Sequence, residues 1–200
     1  MEKDKNLLEE KRNKIIQASI NVFVKKGFFK TQMEDIAREA GVAKGTLYLY
    51  FKSKEELFAS FFENIFEQAF SDIEKIKNMS ASAIDKLKII VKNQIEFCQK
   101  NLELFMMIDR ELHNMDKTLK MTNTKKIMKK YEDIIYSLSE IVKQGIKEKS
   151  IKNIDPVLIS VILIDAVKSV VFRNVKFHSK EKLTNQIPVV LDILLNGIGR

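Results

Sequence analysis

Lys30-Thr31-Gln32-Met33-Glu34-Asp35-Ile36-Ala37-Arg38-Glu39-Ala40-Gly41-Val42-Ala43-Lys44-Gly45-Thr46-Leu47-Tyr48-Leu49-Tyr50-Phe51-Lys52-Ser53-Lys54-Glu55-Glu56-Leu57 reads as two short helices, a tight turn between them, and the start of a long third helix. Thr31 is of N-cap type and Glu34 lies three positions on. In such a capping box the hydroxyl and the carboxylate each satisfy a free N–H of the first turn. Met33, Ile36, Ala37 and Ala40 recur at helical spacing, so one narrow face is apolar. Gly41 ends this helix, because glycine accepts the left-handed conformation that closes helices. Leu47 and Phe51, one helical turn apart, anchor the next helix on the same small core. Ser53 with Glu56 makes a second capping box and opens the helix that follows. Two capped helices of about seven residues around a glycine turn make a helix-turn-helix. A unit so small cannot stand alone, so flanking helices must cover it.

The second of these helices has the surface of a major-groove reader. Small residues at its N-terminus let the backbone approach phosphates, Lys44 and Lys54 add positive charge, and Thr46 and the tyrosines reach base edges or phosphates. The run from Met33 to Ala37 and from Ala40 to Leu57 resembles the DNA-binding domain of the TetR family of bacterial transcriptional regulators, over roughly residues 10–60. The resemblance implies DNA-contacting roles for Thr31, Ala43, Lys44, Gly45, Thr46, Tyr48, Leu49, Tyr50 and Lys54. Leu49 stands where the family more often has an aromatic residue, which leaves contact with a thymine methyl as its role. Leu47 and Phe51 are assigned to packing, and a partly buried place is the alternative for Tyr48 and Tyr50. The resemblance further implies a homodimer formed through the last two helices. It also implies a palindromic double-stranded operator, and repression relieved by a small, largely apolar effector. A DNA-binding architectural or cell-division-linked factor with no such effector is the alternative.

Composition agrees with a soluble helical protein. The chain has 200 residues, 45% hydrophobic and 31% charged, with only two prolines and six glycines. So few helix breakers argue for long helices and against a sheet. The net charge is +8, and residues 1–54 hold +5 of it. Positive charge therefore concentrates on the helix-turn-helix, as a polyanionic partner requires. Cys98 is the only cysteine, which excludes an intrachain disulfide and suits a reducing, cytoplasmic setting. No leader-like apolar run follows Met1. The longest apolar run, from Pro156 to Val167, is interrupted by Asp165 and is too short to span a bilayer.

Outward from the motif, an all-α, two-domain chain is expected, with residues 1–52 binding DNA and residues 53–200 binding the effector and dimerising. The first eight residues read as frayed, and a helix runs from Glu9 or Glu10 to Lys26. The fourth helix starts at Ser53 and ends near Lys77, with a broad stripe that includes Leu57, Phe58, Phe61, Phe62, Phe66 and Phe70. Further helices are expected over Ala83–Lys100, over Leu104–Met115, and from an Asp116 cap to Lys149. Asp155-Pro156 starts another, since aspartate caps and proline fits the first helical position. That helix, Val157–Phe177, is apolar nearly all round and needs cover on two sides. The last helix, Lys180–Gly197, contains Pro188, which should kink it. Two apolar C-terminal helices per chain suggest a four-helix dimer interface.

For an effector the expected lining residues are Phe97, Met106, Arg110, His113, Tyr131 and Asp165. Aromatic and methionine side chains form adaptable apolar pockets. Arg110, His113 and Asp165 sit within apolar stretches, where a charge needs a ligand, a partner residue or the dimer interface to compensate it. The two histidines are far apart and lack metal-ligand spacing, so no metal is expected. Cys98 reads as a core thiol. No phosphate loop, nucleophile elbow or paired catalytic carboxylates occur, so neither an enzyme nor a bound cofactor is expected.

Overall fold

The computed structural model describes the backbone of residues 2–107 and 124–198, and side chains over 7–107 and 128–197. Every regular element among them is helical: α1 (Glu2–Lys26), α2 (Met33–Ala40), α3 (Lys44–Tyr50), α4 (Lys54–Lys77), α5 (Ala83–Lys100), α6 (Thr124–Lys147), α7 (Pro156–Lys176), a 3-10 turn (Leu183–Gln186) and α8 (Ile187–Ile198). Two compact units emerge, one of residues 1–65 with 106–127, the other of residues 66–105 with 128–200.

In the first unit, α1 begins seven or eight residues earlier than its charge pattern suggests. Glu, Lys and Leu are all good helix formers, and no glycine or proline interrupts residues 2–26, so propensity outweighs the expected fraying. Gly27, at φ 83°, ends α1. The cap of α2 is Gln32, one residue later than the sequence indicates. The Asp35 carboxylate accepts a hydrogen bond from the Gln32 N–H at 3.3 Å. Thr31 instead turns inward and donates its hydroxyl to the Gly27 carbonyl at 2.7 Å. Gly41 closes α2 in the left-handed conformation at φ 67°. Ser53 caps α4 as expected, its Oγ accepting from the Glu56 N–H, but the Glu56 carboxylate reaches one residue further back and accepts from the N–H of Lys52.

The core of this unit is aromatic. Phe23 of α1, Phe28 of the following loop and Phe58 of α4 are fully buried, with ring centroids 5.2–5.7 Å apart. Leu47 and Phe51 are also fully buried, so α3 is held by its inner side alone.

The second unit packs α5, α6, α7, α8 and residues 66–77 of α4 around one aliphatic core, including Leu87, Ile95, Leu138, Ile141, Val142, Leu163 and Val167. α5 spans its expected limits, with Ser82 as N-cap accepting from Asp85 N–H at 3.2 Å and Asn101 at its end. Buried Lys86 donates to the Lys77 carbonyl, at the end of α4, and to the Gln144 side chain of α6, each at 2.8 Å. A Cβ at Gly145 would lie 2.5 Å from Ile151 Cδ1 and 3.0 Å from Ala83 Cβ, so α6 can approach α5 this closely only at a glycine. Cys98 is buried, and desolvation pushes its thiol pKa up to about 12, in keeping with an unreactive core thiol.

Residues 102–107 are helical. The remainder of the helix expected over Leu104–Met115, and the Asp116 cap, lie outside the described residues. Asp155 caps α7 as expected, accepting from Val157 N–H at 2.9 Å. One expectation is corrected. Pro188 does not kink the last helix. The chain makes a 3-10 turn first, so Pro188 falls in the opening turn of α8, where its missing N–H costs no intrahelical bond. Asp165 lies on the outward side of α7 with Leu158, Ile162 and Phe172. No described helix is long and apolar enough to cross a membrane.

Candidate nucleic-acid interface and effector region

α3 is a seven-residue helix of which only Leu47 is buried. Ala43, its N-cap, is extended, and a Cβ at Gly45 would meet nothing within 4 Å. The N-terminus of α3 is thus open, as close approach by another molecule requires. Around it Ala43, Lys44, Gly45, Tyr48 and Leu49 are exposed, while Thr46 and Tyr50 are half-buried. Leu49 keeps 79% of its surface in solvent. With the exposed Tyr48 beside it, Leu49 forms a small apolar patch on the outward side of α3.

Charge on this face is pre-arranged. The Lys44 ammonium pairs with the Glu34 carboxylate of α2 and lies 6.0 Å from the Tyr48 ring centroid. Their hydrogen bond draws the Glu34 pKa down and the Lys44 pKa up. Lys26 lowers the Asp35 pKa, helped by the Gln32 N–H and by Arg38, whose guanidinium lies 2.6 Å away. Because the folded pKa is depressed, this contribution to stability is present above the unfolded pKa and is lost as pH falls through the folded one. Lys52 donates to the Tyr48 carbonyl at 3.2 Å, placing a cation at the C-terminus of α3.

Two residues expected on this face are used within the unit. Thr31 is buried and hydrogen-bonded to Gly27. The Lys54 ammonium donates to the carbonyls of Phe28, Phe29 and Thr31 at 2.9, 3.1 and 3.2 Å.

Of the expected effector residues, Arg110 and His113 lie outside the described residues. Met106 is partly exposed, and Phe97 packs half-buried against the aliphatic core of the second unit. Tyr131 and Asp165 are brought together by a residue the sequence did not single out. Lys168 pairs with Asp165 at 2.8 Å, donates to the Tyr131 hydroxyl at 3.3 Å, and sits 4.9 Å from its ring centroid. The one available signal was its place one turn after Asp165. A separate groove of about 290 Å³ between α4 and α6 is lined by Phe70, Glu74, Lys77, Asp133, Tyr136, Ser137 and Glu140. Its three carboxylates make it a poor host for an anion or an acyl chain. Among the described residues no group of three potential metal ligands converges.

Two family models match the chain: that of bacterial regulatory proteins of the tetR family over residues 15–61, and that of tetracyclin repressor-like C-terminal domains over residues 80–172. The fatty acid metabolism regulator protein of Bacillus subtilis is 29% identical over 195 residues, covering 96% of this chain and 98% of the relative. A Clostridium perfringens structure described as a fatty acid metabolism regulator is 30% identical, with a TM-score of 0.75 over 92% of this chain and 98% of that one. The structure of Bacillus subtilis FadR in complex with stearoyl-CoA is 25% identical, with a TM-score of 0.73 over 92% and 98% of the two chains. An open recognition helix on a capped helix-turn-helix, matched along nearly the whole chain by regulators, leads to one conclusion: this chain belongs to the TetR family and is a ligand-responsive, DNA-binding transcriptional regulator, not an enzyme.

Proposed function

We propose that the protein is a cytoplasmic homodimeric repressor whose two α3 helices enter successive major grooves of a palindromic operator. The outward face of α3 carries this reading: Ala43, Lys44, Gly45, Thr46, Tyr48, Leu49 and Tyr50 cluster there on a helix anchored from behind by Leu47. Lys44 and the open helix end supply phosphate affinity, so binding weakens with salt. Tyr48, Leu49 and Tyr50 supply contacts to base edges or methyl groups. In this reading residues 1–52 form the DNA-binding domain and residues 53–200 form the effector and dimer domain. The dimer is formed by α7 and α8, whose solvent-facing Leu158, Ile162, Phe172, Val189 and Ile193 are too numerous to remain wet.

The effector is a long-chain acyl-CoA. Support comes from the stearoyl-CoA bound to the FadR relative and from the aliphatic character of the second unit. Phe97, Met106, Arg110, His113 and Tyr131 are the proposed lining, while Asp165, paired with Lys168 on the outward side of α7, falls to the dimer face. Release requires a ligand that binds the DNA-incompetent state more tightly. Stearoyl-CoA should therefore weaken binding to a duplex selected by this protein by about 5–150-fold, whereas free CoA leaves it unchanged. Fluorescence anisotropy titrations measure both. Equal binding with and without stearoyl-CoA would remove the effector assignment and leave DNA recognition standing.

A further inference from the structure

We infer that Glu34 is a specificity-determining residue of the DNA-binding unit: it competes with DNA phosphates for the Lys44 ammonium and so restrains binding to random sequence. The inference rests on the DNA-binding reading above.

The pairing of the α2 carboxylates carries it. α2 has three of them, on Glu34, Asp35 and Glu39. Two reach back to α1: Asp35 pairs with Lys26 at 2.6 Å and Glu39 with Lys25 at 3.6 Å. Glu34 reaches forward instead, to Lys44, the first residue of α3. A carboxylate beside the reading helix of a DNA-binding unit works against a polyanion, so its place there needs a reason. Capping does not supply one, because the carboxylate that closes the capping box of α2 belongs to Asp35. Packing does not either, since both side chains of the pair stay about half exposed. The pair is ionised at neutral pH, because its hydrogen bond lowers the Glu34 pKa and raises that of Lys44.

An exposed ion pair of this kind is weak enough to be exchanged. A random duplex offers Lys44 only a phosphate in place of its carboxylate, and the exchange leaves Glu34 bare beside DNA. On the operator, base contacts from the rest of α3 offset that loss. Glu34 thus lowers affinity for all DNA, but lowers it most where no base contact compensates.

A double-mutant cycle of Glu34→Gln and Lys44→Met tests this, with affinity measured against salt by fluorescence anisotropy. The probes are the duplex recovered by selection with this protein and a random-sequence duplex of equal length. Glu34→Gln should bind the random duplex severalfold more tightly. Its salt slope there should steepen by about 0.9 per subunit, one lysine freed for one phosphate. Its affinity for the selected duplex should rise less, so the ratio of the two affinities falls. Lys44→Met should cost more random-duplex affinity in the Glu34→Gln background than in wild type. Unchanged random-duplex affinity in Glu34→Gln would overturn the assignment. An equal cost of Lys44→Met in both backgrounds would overturn it too, since the carboxylate would then act on DNA without Lys44. So would loss of the cooperative melt in Glu34→Gln, which would make the pair structural. Wild-type protein that bound neither duplex would overturn the DNA-binding reading, and this inference with it.

Discussion

Phe58→Ala should lower the unfolding free energy of the DNA-binding unit by about 3–5 kcal/mol. Phe58 is fully buried, and its ring meets Phe23 of α1, Phe28 of the loop and Phe62 of α4 with centroids 5.7, 5.2 and 5.0 Å away. Removal leaves a cavity among rings that cannot collapse without moving three elements at once, and the aromatic pair terms are lost in addition. A unit of this size has about 5 kcal/mol to lose, so the variant should be largely unfolded there near 37 °C. Chemical denaturation followed by circular dichroism gives the loss, and DNA binding should vanish with it. Leu49→Ala is the matched control. Its side chain is mostly in solvent, so its stability change should stay within about 0.5 kcal/mol while DNA affinity drops.

Ile162→Glu should convert the dimer to monomers. Leu158, Ile162 and Phe172 lie along the outward side of α7, and Val189 and Ile193 along that of α8. A two-fold interface places each such residue twice, so one substitution introduces two unpaired carboxylates into a desolvated patch. The mass in solution should fall from twice 23.2 kDa to 23.2 kDa by light scattering. Operator affinity should fall by about a hundredfold or more, because the second half-site is no longer bound at high effective concentration. Monomers that retained full operator affinity would contradict the dimeric reading.

The helix-turn-helix was legible because its signals are local. Gly41, the apolar spacing of α2, the Ser53–Glu56 cap and the Leu47–Phe51 pair each act within one or two turns. What escaped depended on tertiary neighbours. Thr31 and Gln32 both suit a cap, and the Gly27 carbonyl, offered by the end of α1, draws Thr31 inward and moves the cap by one residue. Lys54 is singled out by its charge and place, and only the fold brings the carbonyls of Phe28 and Phe29, distant in sequence, within reach of its ammonium. Asp165 stood among apolar neighbours with three ways to be compensated, and only helical geometry shows Lys168 one turn on as its partner. Pro188 looked disruptive because the periodicity of the last helix runs through it. The 3-10 turn takes up Leu183–Gln186 and leaves proline where a helix tolerates it.

The central claim is that α3 reads a palindromic sequence, and an in vitro selection from random duplex DNA at moderate salt tests it most directly. Sequencing of the retained molecules should yield one palindromic motif with wild type and none with Tyr48→Ala, which keeps the fold and the dimer. Retention by wild type without any motif would mean that the basic N-terminal unit only grips phosphates, and would contradict the account.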